Sequence, residues 1–217
     1  YSFKMTTFKG LYFDGSEISR YMMNQPMAKD YQFRGIFCRR KSVQTHAFKY
    51  YLYTEDMETM IIAAEKKKAV RQYLISMNAN QMTKESKFYM GGTAFLKKSD
   101  NFAFSWHPQI DTSTRLMLYF SQTSQNSQDI FIPKLGTSLL LRDGKSLDQI
   151  ELQNQCLQLQ GTTQSDNQKD STPHYIIFQD ENQVMDLYQT YEDEFSITIS
   201  YPFSIFQAFS MALYYVP

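Results

Sequence analysis

The chain is predicted to fold as a mainly β domain in which many short strands surround one apolar helix. Three observations carry that expectation. Apolar and polar residues alternate with period two in one segment after another, no repeat of 20–50 residues is visible, and the last stretch of the chain is apolar on nearly every face. A length of 217 residues allows one large domain or two small ones, and 17 Phe and 16 Tyr can fill a sizeable core. Global disorder is thereby excluded. With 8 Gly and 6 Pro the chain is neither collagen-like nor a low-complexity linker.

The strands follow in order along the chain. Phe48-Lys49-Tyr50-Tyr51-Leu52-Tyr53, Phe102-Ala103-Phe104-Ser105-Trp106 and Arg115-Leu116-Met117-Leu118-Tyr119-Phe120 read as strands. So do Ile150-Glu151-Leu152-Gln153, Cys156-Leu157-Gln158-Leu159, Tyr175-Ile176-Ile177-Phe178 and Phe195-Ser196-Ile197-Thr198-Ile199. Polar turns separate them, such as Arg142-Asp143-Gly144-Lys145 and Asp180-Glu181-Asn182, and the tracts Ser121–Asp129 and Gly161–Thr172 read as exposed loops. Short strands in such number predict a closed or sandwich-like β architecture. From Pro202 onward the pattern changes. Pro suits a helix start, and a 3.6-residue period leaves only Ser204, Gln207 and Ser210 as a thin polar stripe. A helix that apolar is buried, and this one is too short to cross a bilayer, so the strands are expected to enclose it.

No transmembrane segment is expected, because the apolar stretches fall far short of roughly 18 residues. No signal peptide is visible after Tyr1-Ser2-Phe3-Lys4, and a first residue other than Met suggests a true N-terminus further upstream. Cys38 and Cys156 are too few for a disulfide framework and read as buried, reduced thiols of an intracellular protein. The formal net charge of zero hides a division: residues 1–98 hold 17 Lys and Arg against 8 Asp and Glu, and residues 99–217 hold 5 against 14. A fold that segregates these halves has a basic face for phosphate-bearing surfaces and an acidic one for a basic partner; interleaved strands would average the difference out.

Catalysis finds no support in the sequence. His46, His107 and His174 are not at metal-ligand spacing, no nucleophile elbow is present, and Gly91-Gly92-Thr93 is not followed by the Lys-Ser/Thr of a phosphate loop. The acidic run Glu192-Asp193-Glu194 reads as a solvated turn, and Trp106 as a core residue. Neutral charge and the lack of Arg-rich stripes weigh against nucleic acid.

Several motifs, in order, resemble the tubby domain. Gln72-Tyr73-Leu74-Ile75-Ser76-Met77-Asn78 followed by Ser86-Lys87-Phe88-Tyr89-Met90-Gly91 is similar to its "NYLIS…SxxYIG". Tyr201-Pro202-Phe203-Ser204-Ile205-Phe206-Gln207-Ala208-Phe209-Ser210-Met211-Ala212-Leu213 is similar to its closing "YPLSAFQAFAIAL", the most specific of the matches. Ile150-Glu151-Leu152-Gln153-Asn154 echoes "IELQNK", and Ile130-Phe131-Ile132-Pro133 echoes "VIVPG". Near the front, Gln25-Pro26, Phe37-Cys38-Arg39-Arg40 and Tyr50-Tyr51-Leu52-Tyr53 keep the order "QP…CRI…YFLHL". The resemblance runs from about Tyr21 to the end, which divides the chain into an N-terminal extension, 1–20, and a tubby-like domain, 21–217. It implies a closed antiparallel barrel of twelve strands with the C-terminal helix threaded through its centre.

The resemblance also implies a function, recognition of the phosphatidylinositol bisphosphate headgroup by a non-enzymatic adaptor that carries membrane cargo into cilia. The family's basic cluster precedes "NYLIS", where this chain has Glu65-Lys66-Lys67-Lys68-Ala69-Val70-Arg71. Lys66, Lys67 and Lys68 are the candidate phosphate contacts, with Arg71, Lys97 and Lys98 auxiliary. Clustered ammonium groups neutralise a headgroup that bears several negative charges, although Lys lacks the bidentate fork of Arg. Two departures stand against this. Gly91–Leu96 replaces the family's "KLRSN" and lacks its Lys and Arg, and Leu159-Gln160-Gly161-Thr162-Thr163 replaces "NFxGRV" without its Arg. The alternative expectation is therefore a structural or interaction component of a ciliary, axonemal assembly with a degenerate lipid site. Either way no cofactor or metal is expected. The expected location is the cytoplasm and cilium, with at most peripheral attachment to the plasma or ciliary membrane, and the expected protein partners are ciliary transport or axonemal proteins.

Overall fold

The computed structural model describes residues 4–5, 15–43, 47–67, 72–95, 102–108, 114–124, 126–134, 140–141, 154–164 and 172–216. Twelve antiparallel strands make up its sheet. They are β2 (Tyr31–Lys41), β3 (Phe48–Thr54), β4 (Met60–Lys67), β5 (Gln72–Ser76), β6 (Tyr89–Phe95), β7 (Phe102–Pro108), β8 (Thr114–Ser124), β9 (Ser127–Pro133), β11 (Cys156–Gln164), β12 (His174–Gln179), β13 (Asn182–Tyr191) and β14 (Glu194–Ser200). Two short strands lie at its margin: β1 (Lys4–Met5) pairs parallel with β2, and β10 (Leu140–Leu141) pairs with β8. Neighbours in sequence are neighbours in the sheet from β2 through β9, and from β11 through β14. The non-local pairings are β9 with β11 and β14 with β2, and β2 pairs on its other side with β3.

The predicted alternation appears as inward and outward rows, because successive side chains of a strand point to opposite faces. Phe37, Leu52 and Ile62 stand opposite one another on β2, β3 and β4 and all belong to the core. The expected terminal helix, α2, spans Ile205–Tyr215, slightly later than Pro202 suggested. Every residue from Ile205 to Leu213 is buried. The polar stripe read along it does not meet solvent. Ser204 is the N-cap and accepts from the Gln207 N–H at 3.2 Å, while Gln207 Oε1 accepts from the Ser204 N–H at 2.9 Å. Ser210 Oγ donates back to the Phe206 carbonyl at 2.9 Å. These bonds are required, since a buried polar group without a partner costs about 1–3 kcal/mol.

At its far end α2 is fixed by Tyr215, whose ring stacks on Tyr175 with centroids 4.4 Å apart and whose hydroxyl donates to Gln128 Oε1 at 3.1 Å. Gly161 lies beneath that contact. A Cβ at this position would sit 2.6 Å from the Tyr215 oxygen and 2.9 Å from Gln128 Oε1. Gly91 has another reason to be glycine: its φ of +136° is closed to side-chain-bearing residues, and it lies at a register shift opposite Ile75 and Ser76. Helix α1 (Glu17–Asn24) precedes the sheet, with Ser16 as N-cap and Met23 fully buried, and residue 21 falls within it.

Two loop expectations are corrected. Ser121–Asp129 is a hairpin: β8 runs to Ser124, β9 starts at Ser127, and the side chain of Gln128 is buried. The polar composition hid it because the outward row of these strands is solvated and the inward Gln128 is satisfied by Tyr215. Within Gly161–Thr172, residues 161–164 belong to β11: all four pair with β12, and Gly161 and Thr162 pair with β9 as well. Residues 165–171 lie outside the described residues, as do the strand expected at Ile150–Gln153 and the turn at Arg142–Lys145.

Replacing Phe206 or Phe209 with Ala is expected to cost about 3–5 kcal/mol by emptying the centre, read as a lowered urea midpoint; unchanged midpoints would contradict a helix packed on every face. Gly161→Ala is expected to destabilise by about 1–3 kcal/mol. That penalty should shrink when the same change is made in a Tyr215→Phe background, because the two sites share one contact.

Candidate functional site

Since adjacent strands are antiparallel, their connections alternate between two ends of the sheet. One end receives the connections 41–48, 67–72, 95–102, 124–127, 164–174 and 191–194. Of the six lysines and arginines singled out in the sequence, two are described, and both lie at this end. Lys66 and Lys67 close β4 and pair with Tyr73 and Gln72 of β5. Gln72 in turn pairs with Ala94, one residue before the end of β6. The β4–β5 and β6–β7 connections therefore leave the sheet side by side. Lys68 and Arg71 fall in the first of them, Lys97 and Lys98 in the second, and these four lie outside the described residues.

Lys66 is exposed, with its Nζ 5.8 Å from the centroid of the Tyr73 ring, a cation–π arrangement. Tyr73 and Tyr50 are buried and meet edge to face at 5.4 Å. Burial pushes both phenols above the ordinary tyrosine range. For Tyr73 the neighbouring Tyr50 adds to that, while for Tyr50 the hydrogen bond with Tyr73 and the charge of Arg39 work against it. Both phenols therefore stay neutral, and the Tyr73 ring is the surface on which the Lys66 ammonium rests.

The sequence reading missed further cations at this end. Arg39 and Arg40 lie at the close of β2, beside Lys41, and Lys49 opens β3 directly opposite Arg40. Arg39 Nε donates to Asp193 Oδ1 at 2.9 Å, and its guanidinium lies 4.8 Å from the Phe48 ring centroid. Arg40 Nη2 lies 3.9 Å from Glu194 Oε1, and Lys49 Nζ 3.9 Å from Glu65 Oε2. Glu192-Asp193-Glu194 is thus not simply a solvated turn, since Asp193 and Glu194 both meet arginines of β2. No local signal could have revealed this, because the partners are 154 residues apart for Arg39 and Asp193. The opposite end is acidic where described in two of its turns, with Glu55, Asp56 and Glu58 between β3 and β4 and Asp180 and Glu181 between β12 and β13.

The segment that departs from the expected lipid motif is built into the sheet. Gly91, Gly92 and Thr93 are buried, with Gly92 between Leu74 of β5 and Trp106 of β7. Of the histidines, His174 Nε2 lies 2.7 Å from Asp186 Oδ1 on the paired strands β12 and β13. His107 is a residue of β7 whose side chain lies outside the described residues, as does all of His46. Among the described residues no three His, Cys, Asp or Glu side chains gather as a metal site, and no helix is long and apolar enough to cross a membrane. Cys38 and Cys156 are both buried and free. Burial pushes the Cys156 thiol up to about 11 against the opposing charge of Lys134, and raises Cys38 despite Arg40 beside it.

Residues 23–137, more than half of the chain, match the model of the Tub family. No curated protein matches the chain.

The two thiols set the sign of one pH dependence. An unfolded thiol ionises at about pH 8.5, while the folded ones hold their protons to higher pH. Above pH 9 the unfolded chain therefore binds fewer protons than the folded one, and stability falls as pH rises. Urea midpoints measured from pH 8 to pH 11 should decline, and the decline should be shallower in a Cys38→Ala/Cys156→Ala variant; an equal slope would assign the effect elsewhere.

Proposed function

The chain belongs to the Tub family, and on that premise we propose that it is a non-enzymatic adaptor that binds phosphoinositide headgroups at the basic end of its sheet. The family is a non-enzymatic one whose members bind phosphoinositides. The observation that supports the reading is that Lys66 and Lys67 close β4 at the end of the sheet where β5 begins and β6 ends. Lys68 and Arg71 follow in sequence between β4 and β5, and Lys97 and Lys98 between β6 and β7. A headgroup with several phosphates needs several cations within a few ångströms, because each exposed pair alone is weak and screened by salt. Arg39, Arg40, Lys41 and Lys49 lie on the neighbouring strands and extend the positive field.

In this reading the sheet is a closed barrel around α2. The pairing of β2 with both β14 and β3 and the burial of α2 support that geometry. The adaptor works in the cytoplasm and cilium, attached peripherally to the plasma or ciliary membrane and carrying cargo together with ciliary transport proteins. A second reading, an interaction component of an axonemal assembly, is favoured by Gly91–Thr93, where buried small residues stand in place of the expected Lys and Arg.

Vesicle co-sedimentation separates the two. The adaptor should sediment with phosphatidylcholine vesicles containing phosphatidylinositol bisphosphate, lose most of that binding in a Lys66→Ala/Lys67→Ala/Lys68→Ala variant, and release as salt is raised. A wild-type chain that ignores these vesicles would leave the interaction component.

A further inference from the structure

We propose that the basic end docks flat on an anionic bilayer and dips two apolar tips, Val43 and Tyr191, into its interface. This inference rests on the lipid-binding reading and adds to it a surface, an orientation and two residues on strands outside the headgroup segments.

Val43 is 90% exposed in the β2–β3 turn, and Tyr191, the last residue of β13, is 73% exposed at the same end. The β2–β3 and β13–β14 turns are neighbours. β14 pairs with β2 so that Glu194 stands opposite Cys38, and the Arg39 N–H donates to the Asp193 carbonyl at 2.9 Å. The β2–β3 turn is closed by the Ser42 N–H donating to the Ala47 carbonyl at 2.8 Å, which presents Val43 beyond the last ladder pair. Around the tips lie Arg40, Lys41 and Lys66, all exposed. Glu192, Asp193 and Glu194 follow Tyr191, but Asp193 and Glu194 are paired with Arg39 and Arg40. Apolar tips with exposed cations beside them therefore match an anionic interface: tyrosine favours the headgroup level, and basic groups are drawn to the charged surface.

The opposite end is less suited to such a surface. Exposed Lys29, Lys84, Lys87 and Lys134 lie there, but so do Asp30, Glu85 and, in the β3–β4 and β12–β13 turns, Glu55, Asp56, Glu58, Asp180 and Glu181, which an anionic surface repels. Helix α1 also exposes apolar groups, Ile18, Tyr21 and Met22, yet its first turn bears the exposed Glu17. Glu192 is exposed in the Tyr191 turn and is the acidic group there closest in sequence to a tip.

The test uses the whole chain and vesicles of phosphatidylcholine with phosphatidylserine, with and without phosphatidylinositol bisphosphate. Val43→Ser/Tyr191→Ser should lower the partition coefficient on both by about tenfold, since two apolar side chains no longer leave water. Glu192→Lys should raise it about fivefold, and Ile18→Ser/Tyr21→Ser should leave it unchanged. All these positions are exposed, so urea midpoints equal to wild type will show that each variant is folded. Wild-type binding by Val43→Ser/Tyr191→Ser, no effect of Glu192→Lys, or loss confined to the α1 variant would each overturn the proposal. The two readings fail separately. Loss of binding in the lysine variant with no effect at the tips overturns the docking surface alone. Tip-dependent binding that ignores the bisphosphate headgroup overturns the headgroup reading and keeps the surface. A wild-type chain that binds neither vesicle overturns both.

Discussion

The structure depends on one constraint, the burial of α2 on every side. A helix in such a place can carry no side chain that needs water, and whatever polar groups it keeps must find partners within reach. Ser204, Gln207 and Ser210 find theirs on the helix itself. Tyr215 finds its partner on the surrounding strands, in Gln128. The strands answer with an inward row of Phe, Leu, Ile and Tyr, and they make room where the helix comes closest, as Gly161 does beneath the Tyr215 hydroxyl. Edge-to-face contacts such as Phe37 with Phe195 tie neighbouring strands together around Phe209.

Local pattern made much of this legible. Phe48–Tyr53 and Phe195–Ile199 are strands because their alternation matches a half-buried sheet, and the helix is central because it offers no polar face. The failures have a shared cause. Ser121–Asp129 reads as a loop because Gln, Ser and Thr are taken as solvated, whereas in a sheet with one face in the core the outward row is solvated anyway. Gln128 was invisible as a core residue because its burial depends on a hydroxyl 87 positions away. Of the candidate site, the run Lys66–Lys68 announced itself by composition. Arg39 and Arg40 did not, since their meaning comes from β14 arriving beside β2 with Asp193 and Glu194 at its start.

Those two ion pairs shape the electrostatics of the basic end. Asp193 and Glu194 hold Arg39 and Arg40 against the sheet, and Phe48 supports the Arg39 plane from below. The Arg39 guanidinium is thereby fixed in position and partly neutralised, while Arg40, more loosely paired, and Lys41 and Lys66 stay exposed. Among the described residues, two turns of the opposite end are acidic, while Lys41, Lys66 and Lys67 lie at this one. A neutral total is compatible with a strong local field, because alternate connections of an antiparallel sheet gather at opposite ends.

The central helix follows every strand in the sequence, and this order bears on synthesis. A ribosome delivers the inward-facing rows of all twelve strands before it delivers residues 205–215 that will fill the space between them. Until then the inward row, with Phe37, Leu52, Ile62, Ile75 and Leu187 in it, lacks the helix with which it shares a core, and the pairing of β14 with β2 has just become available. The nascent chain thus passes through a long interval with exposed apolar surface and unpaired strand edges, the state in which chains associate wrongly with one another. A core completed by a helix that follows its strands in sequence gains more from shielding during translation than one that closes as it emerges.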